Sequence, residues 1–149
     1  MKVINKFSVT IPSLSVNEAF ARSLISSFVL QLDPTIDEMS DIKTAVSEAV
    51  TNCIVHAYRE QIGNIYINAE IRDNHSVVIK IRDKGCGIEN VEQAMEPLYT
   101  TAGGERAGLG FAVMQSFMDS VRVRSVVNKG TTIIMTKKIS LRYSANANQ

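Results

Sequence analysis

The sequence predicts an α+β protein, a two-layer α/β sandwich in which helices cover one face of a mixed, mainly antiparallel sheet. Capping patterns open two helical stretches, at 15–32 and 35–57, and the second carries apolar residues at three- and four-residue steps, the mark of a helix with one buried face. Two pairs of β-branched or alternating segments flank short Asp-Asn and Asn-Lys-Gly turns, the mark of hairpins. Helices and antiparallel strands in this order suit two packed layers.

Each element has its own warrant. Val3 to Ile11 is β-branched and apolar and stops at Pro12, which suits a strand at a sheet edge. Ser15-Val16-Asn17-Glu18 has the S-x-x-E form of a capping box, so a helix is expected from there to about Leu32. Asp33-Pro34 breaks it, and Thr35-Ile36-Asp37-Glu38 repeats the capping pattern to open a second helix. Along that helix Ile42, Ala45, Val46, Ala49, Val50, Cys53, Ile54 and Ala57 form the core-facing stripe, with Glu48 and Asn52 at its border.

Ile65, Ile67, Ala69 and Ile71 then alternate with Tyr66, Asn68 and Glu70, and Asp73-Asn74 turns the chain into Val77 to Ile81. A glycine-rich region follows, with a short helix near 89–94, a small-residue loop at 100–104, and Gly108-Leu109-Gly110 opening a helix to about Asp119. Val121–Val127 and Thr131–Ile139 make the second hairpin, and the last ten residues are polar and expected to fray.

The 149 residues fit one domain, 1–149, large enough to bury a core without disulfides or metal. With 45% hydrophobic and 21% charged residues, disordered and fibrous classes are excluded. A formal charge of +1 gives no global reason to expect direct nucleic-acid binding, although six acidic residues crowd 33–60 and six basic ones follow Asp119. Cys53 and Cys86 have no CxxC or Cys/His spacing, so no zinc site is expected. No apolar run approaches the roughly 18 residues of a membrane span and the N-terminus does not read as a signal peptide, so the expected location is cytoplasmic, without a membrane partner.

Four elements bear on chemistry. Glu48 and Asn52, four residues apart, project together from one helix. A carboxylate there can orient or deprotonate a hydroxyl, and an amide oxygen can ligate Mg²⁺; alone, the pair could equally point into water from a solvated flank. Asp83-x-Gly85-x-Gly87 follows a strand, where bare backbone admits a flat ligand and the aspartate can accept from an exocyclic amine such as adenine's; alone, it is also an ordinary turn. Gly108-x-Gly110 opens a helix whose free amides suit phosphate, with Arg106 just before it. Gly130-Thr131-Thr132 alone reads as a hairpin turn. Neither the P-loop nor the G-x-G-x-x-G fingerprint is present.

The four in this order, E-x-x-x-N, D-x-G-x-G, G-x-G and G-T-T, resemble the GHKL ATPase superfamily of histidine-kinase catalytic domains, Hsp90, MutL and type II topoisomerases, with its Bergerat fold. The stretches "NEAFAR", "QLDPTIDEMSDIKTAVSEAVTN" and "GLGFAVMQSFMD" are more closely similar to the anti-sigma F factors of spore-forming bacteria, serine kinases of that superfamily, over about Phe7 to Ile139.

The resemblance implies an Mg·ATP- and ADP-binding serine kinase that holds a sporulation sigma factor inactive, phosphorylates an anti-anti-sigma partner and forms a homodimer. By position it implies Glu48 as catalytic base and Asn52 as Mg²⁺ ligand. Asp83 would read the adenine amine above a floor of Gly85 and Gly87, Gly108 and Gly110 would approach the phosphates, and Arg106 would contact the terminal one. Thr132 would close the adenine pocket, and Arg22 would contact protein partners; without the resemblance Arg22 is a solvated helix arginine. The loop "TTAGGERAG" is shorter and richer in glycine than the family's usual lid, and a cysteine, Cys86, stands between the motif glycines. His56, four residues beyond Asn52, could line the site or be structural; His75, in a turn, has no expected role. The remaining alternatives are a stress-response anti-sigma kinase, a nucleotide-dependent binding module without kinase activity, and a GHKL ATPase performing conformational work.

Overall fold

The computed structural model describes residues 1–96 and 109–141. Five strands, β1 (Val3–Pro12), β2 (Asn64–Arg72), β3 (Ser76–Arg82), β4 (Ser120–Val126) and β5 (Gly130–Lys138), form one sheet in the order β1-β2-β3-β5-β4. The helices α1 (Asn17–Val29), α2 (Ile36–Thr51), α3 (Val91–Met95) and α4 (Phe111–Phe117) complete the expected two-layer α+β sandwich. Every described strand pair is antiparallel, so the mixed component expected from the sequence is not found among them. The reason is topological: β5 inserts between β3 and β4, which run parallel to each other and never pair.

Alternation on β2 turns Ile65, Ile67, Ala69 and Ile71 into the core and leaves Tyr66, Asn68 and Glu70 half-buried on the other face. The register sets Ile67 opposite Ile81, Ala69 opposite Ile79, and Ile81 and Ile79 opposite Ile133 and Met135, so one apolar face crosses three strands. Ile42, Ala45, Val46, Ala49 and Val50 of α2 are buried against it, while α1 contributes Ala21, Ile25 and Val29. Phe7 and Phe28 meet edge to face, centroids 4.8 Å apart, and close the β1 end.

The two capping patterns behave differently. Thr35 accepts the Glu38 N–H at 3.0 Å and Glu38 accepts the Thr35 N–H at 2.9 Å, a complete capping box. At α1 the N-cap is Val16, in helical geometry, with no side-chain cap. Glu18 turns instead toward Arg22, at 2.9 Å, and accepts the Ser47 hydroxyl on α2, so the expected reciprocal bond to Ser15 is replaced by an α1–α2 tie.

Nor does α2 run on as an α-helix. From Asn52 to Ala57 it widens into a π turn, closed by Tyr58 N–H to Cys53 O at 3.1 Å. Buried Tyr58 anchors the exit: its hydroxyl donates to Asn64 O at 2.7 Å and accepts the Lys84 N–H at 2.6 Å. His75, for which the sequence offered no role, holds a positive φ of 65° in the β2–β3 turn, with its ring Nε2 3.0 Å from Leu32 O.

Thr35→Ala removes one half of a complete box and is expected to cost about 1 kcal/mol by urea or thermal unfolding. Ser15→Ala has no side-chain cap to lose and is expected to shift stability by less than about 0.5 kcal/mol in the same measurement.

Candidate functional site

The end of β3, the π turn and the start of β5 converge on one cavity of about 210 Å³, lined by Asn52, His56, Asp83, Gly87, Phe111 and Thr131 among others. Complete small-molecule pockets run to roughly 300–1,000 Å³, so these residues close a space suited to the flat end of a ligand.

Asp83 is the buried charge of that space, at 5% exposure. Its Oδ1 accepts N–H bonds from Gly85 at 2.9 Å and Thr131 at 3.2 Å, and its Oδ2 faces the Cys53 thiol, which donates at 3.7 Å. Burial pushes the Asp83 carboxyl above the usual aspartate value, and the three donors only partly oppose that. Burial, then the neighbouring Asp83 charge, push the Cys53 thiol well up, so it stays a protonated donor. Gly87, at φ +75°, brings its backbone against the Val126 carbonyl, where any Cβ would collide. Gly87 lines the cavity as expected, whereas Gly85 contributes its N–H to Asp83.

Asn52 sits where α2 becomes the π turn, its own N–H still bonded to Glu48 O. Its Nδ2 donates to Leu109 O at 2.6 Å, but its Oδ1 is buried with no hydrogen-bond partner. An acceptor left in that state costs roughly 1–3 kcal/mol unless a ligand satisfies it. One turn earlier, half-buried Glu48 reaches the start of α4, where a Cβ on Gly110 would strike its Oε2. Gly110 has φ +64°, so both its backbone and its missing side chain suit this approach. Packing of α2 on α4 therefore brings Glu48, Asn52 and Gly110 together.

Arg106 and Gly108 lie outside the described residues. Thr132 is not in the cavity; Thr131 is. The phase of β5 decides this, because Thr131, Ile133 and Met135 face the helices while Thr132 stands on the opposite face, in register with Arg82 and Arg124. The apolar run Ile133-Ile134-Met135 carries no alternation from which that phase could be read. Arg22 is likewise apart from the cavity, on a groove between α1 and α2 with Ser15, Glu18, Ser47 and Thr51. The sequence also gave no signal for Cys53 as a partner of Asp83, since its place on the apolar stripe marked it as core.

Residues 12–137 match the family described as Histidine kinase-like ATPase domain. Among curated proteins, the chain is 55% identical to an anti-sigma F factor of Caldanaerobacter subterraneus subsp. tengcongensis, over 93% of this chain and 97% of that protein. It is 53% identical to an anti-sigma F factor of Clostridium beijerinckii, over 92% and 96%, and 47% identical to one of Priestia megaterium, over 91% and 94%. Among solved structures, the RsbU and RsbW domains of a Mycobacterium tuberculosis protein superpose with a TM-score of 0.67 at 17% identity, covering 91% of this chain and 32% of that one. The catalytic domain of the histidine kinase ThkA superposes with a TM-score of 0.56 at 17% identity, covering 90% of this chain and 97% of that one. The chain belongs to the histidine kinase-like ATPase family and, within it, to the anti-sigma F factors.

Proposed function

We propose that this anti-sigma factor is a serine kinase that binds Mg·ATP in the cavity, phosphorylates an anti-anti-sigma protein, and sequesters a sporulation sigma factor. The observation that carries the nucleotide reading is the orphaned Oδ1 of Asn52, buried in the same cavity as an acceptor carboxylate, Asp83. An uncommitted amide oxygen fits a hard cation, and Mg²⁺, bound there with phosphate and water oxygens, would offset charge on the β- and γ-phosphates. Asp83 would accept the N6–H of adenine, with Gly87 beneath the base.

In the transfer, the seryl oxygen attacks the γ-phosphorus in line, the bond from that phosphorus to the β–γ bridging oxygen breaks, and ADP leaves. Glu48 takes the seryl proton; its half-buried carboxylate at the mouth of α4 supports this role. Gly108 and Gly110 would admit the phosphates, and Arg106 would neutralise the terminal one. The α1–α2 groove holding Arg22 offers a surface for the protein partners distinct from the nucleotide cavity, and a homodimer would present it twice.

The test is a labelling assay with Mg·[γ-³²P]ATP and the anti-anti-sigma partner. Glu48→Gln is expected to bind ATP normally and lose on the order of 10²–10⁴-fold in transfer rate, while Asn52→Ala loses Mg-dependent binding. If wild type binds ATP and retains the sigma factor but never labels the partner, the chain is a binding module and the kinase reading is wrong.

A second expectation follows from Asp83. Burial raises its carboxyl above the ordinary aspartate value of 3.8, so the stability it contributes is full below that value and lost as pH rises through the raised one. Its ionised form thus weakens the empty fold at neutral pH, yet that form accepts the amine. Asp83→Asn is expected to leave the melting temperature at pH 7 unchanged or higher while cutting ATP affinity about tenfold or more. Wild-type affinity should fall on acidification at a pH above that of an ordinary aspartate. An Asp83→Asn variant with wild-type ATP affinity would remove Asp83 from the site.

A further inference from the structure

Cys86, between Gly85 and Gly87, lies on a wall that two cavities share. Together with Ala57 and Arg59 it lines the candidate nucleotide cavity and also an outer recess of about 350 Å³, completed by Glu60 and Gln61. The nucleotide cavity is independently marked as a ligand site, because Asn52, 6% exposed, keeps there an Oδ1 with no hydrogen-bond partner. The Cys86 thiol is free and half-buried, and its only recorded acceptors are two carbonyls, His56 O at 3.2 Å and Gly87 O at 3.5 Å, both weak partners for sulfur. The other cysteine, Cys53, is 1% exposed and holds its proton between Ala49 O and the Asp83 carboxylate. Of the two thiols, Cys86 is the one a solute can reach.

The backbone around that sulfur has little freedom to give way. The Cys86 N–H donates to Ala57 O at 3.2 Å, and the Cys86 carbonyl accepts the Asn128 N–H at 2.8 Å. Gly85 packs so tightly that a Cβ there would lie 2.4 Å from Ala57 O, and Gly87 holds φ +75° against Val126 O. A group joined to the sulfur therefore takes its room from the cavity and the recess. A tripeptide substituent reaches roughly 10 Å, enough to lie across the cavity from its wall.

We infer that Cys86 is a thiolation site through which a low-molecular-weight disulfide closes the cavity to nucleotide. The inference rests on the proposed nucleotide site and adds a redox control to it. The Cys86 thiolate attacks one sulfur of R–S–S–R, the Cys86–S–S–R bond forms, and the original S–S bond breaks. The departing thiolate takes up a proton to replace the one Cys86 gave up, so the Cys86 sulfur is oxidised and the departing sulfur reduced. The outer recess offers the reagent an approach to the sulfur beside the nucleotide cavity.

The experiment equilibrates the whole chain with glutathione and glutathione disulfide, locates adducts by peptide mass spectrometry, and measures Mg·ATP affinity by calorimetry before and after. One adduct is expected, on Cys86 and not on Cys53, with Mg·ATP affinity weakened about tenfold or more. Dithiothreitol should restore binding, which separates a blocked site from an unfolded protein. By reciprocity, saturating Mg·ATP should lower the thiolation equilibrium at Cys86 by the same factor. Cys86→Ser should take no adduct and show one ATP affinity with and without the disulfide, and Cys86→Ala makes the same comparison should the serine variant not fold. No adduct at Cys86, or an adduct there that leaves ATP affinity unchanged, overturns the inference while the ATP site stands. Failure of the reduced wild type to bind Mg·ATP overturns the nucleotide reading itself, and the control with it.

Discussion

A carboxylate held out of water at the end of β3 sets the terms for the elements around it. Asp83 is 5% exposed and needs donors from the protein, and three separate pieces of chain deliver them. Gly85 does so by turning directly after the strand, Thr131 by starting β5 next to it, and Cys53 by sitting one residue into the π turn. None of the three could move far without stripping a buried charge of a partner. The antiparallel insertion of β5 beside β3, which overturned the mixed-sheet expectation, is what places the Thr131 amide there.

Asn52 poses the complementary problem. Its amide nitrogen is committed to Leu109 and its amide oxygen to nothing, so the cavity carries one acceptor without a partner beside a carboxylate that the protein itself supplies with donors. A folded chain without ligands retains that deficit at Asn52. It is a cost of the empty protein, and within this cavity the acceptor without a partner says more about what could bind than the shape of the walls does.

Much of this was legible in the sequence, because the helices and hairpins carry strong periodicity and the four motifs keep their order. Thr35 and Glu38 formed the box their spacing announced, and Glu48, Asn52, Asp83 and Gly87 all lie at or beside one site. The failures are local and physical. Ser15 lost its capping role because Glu18 found stronger partners on α2 and in Arg22, contacts between elements that no local pattern encodes. Thr132 was matched by position to the family's pocket threonine, whereas the phase of β5, hidden in the sequence by three consecutive apolar residues, turns Thr131 to the cavity. Cys53 and Ser125 went unnoticed as polar partners because a cysteine on an apolar stripe and a serine in a strand are each unremarkable until the neighbouring strand or turn is in place.

The π turn also constrains how this segment can change length. It is an α-helical turn carrying one additional residue, and the surplus is accommodated between Asn52 and Ala57, with Tyr58 pinned at both Asn64 and Lys84. Removing a single residue there would let the helix relax to ordinary pitch and rotate whatever follows by about 100°, carrying His56 off the cavity wall. The stretch is therefore closed to deletion in a way that its unremarkable composition conceals, and the tally of residues between Asn52 and Tyr58 matters as much as their identity.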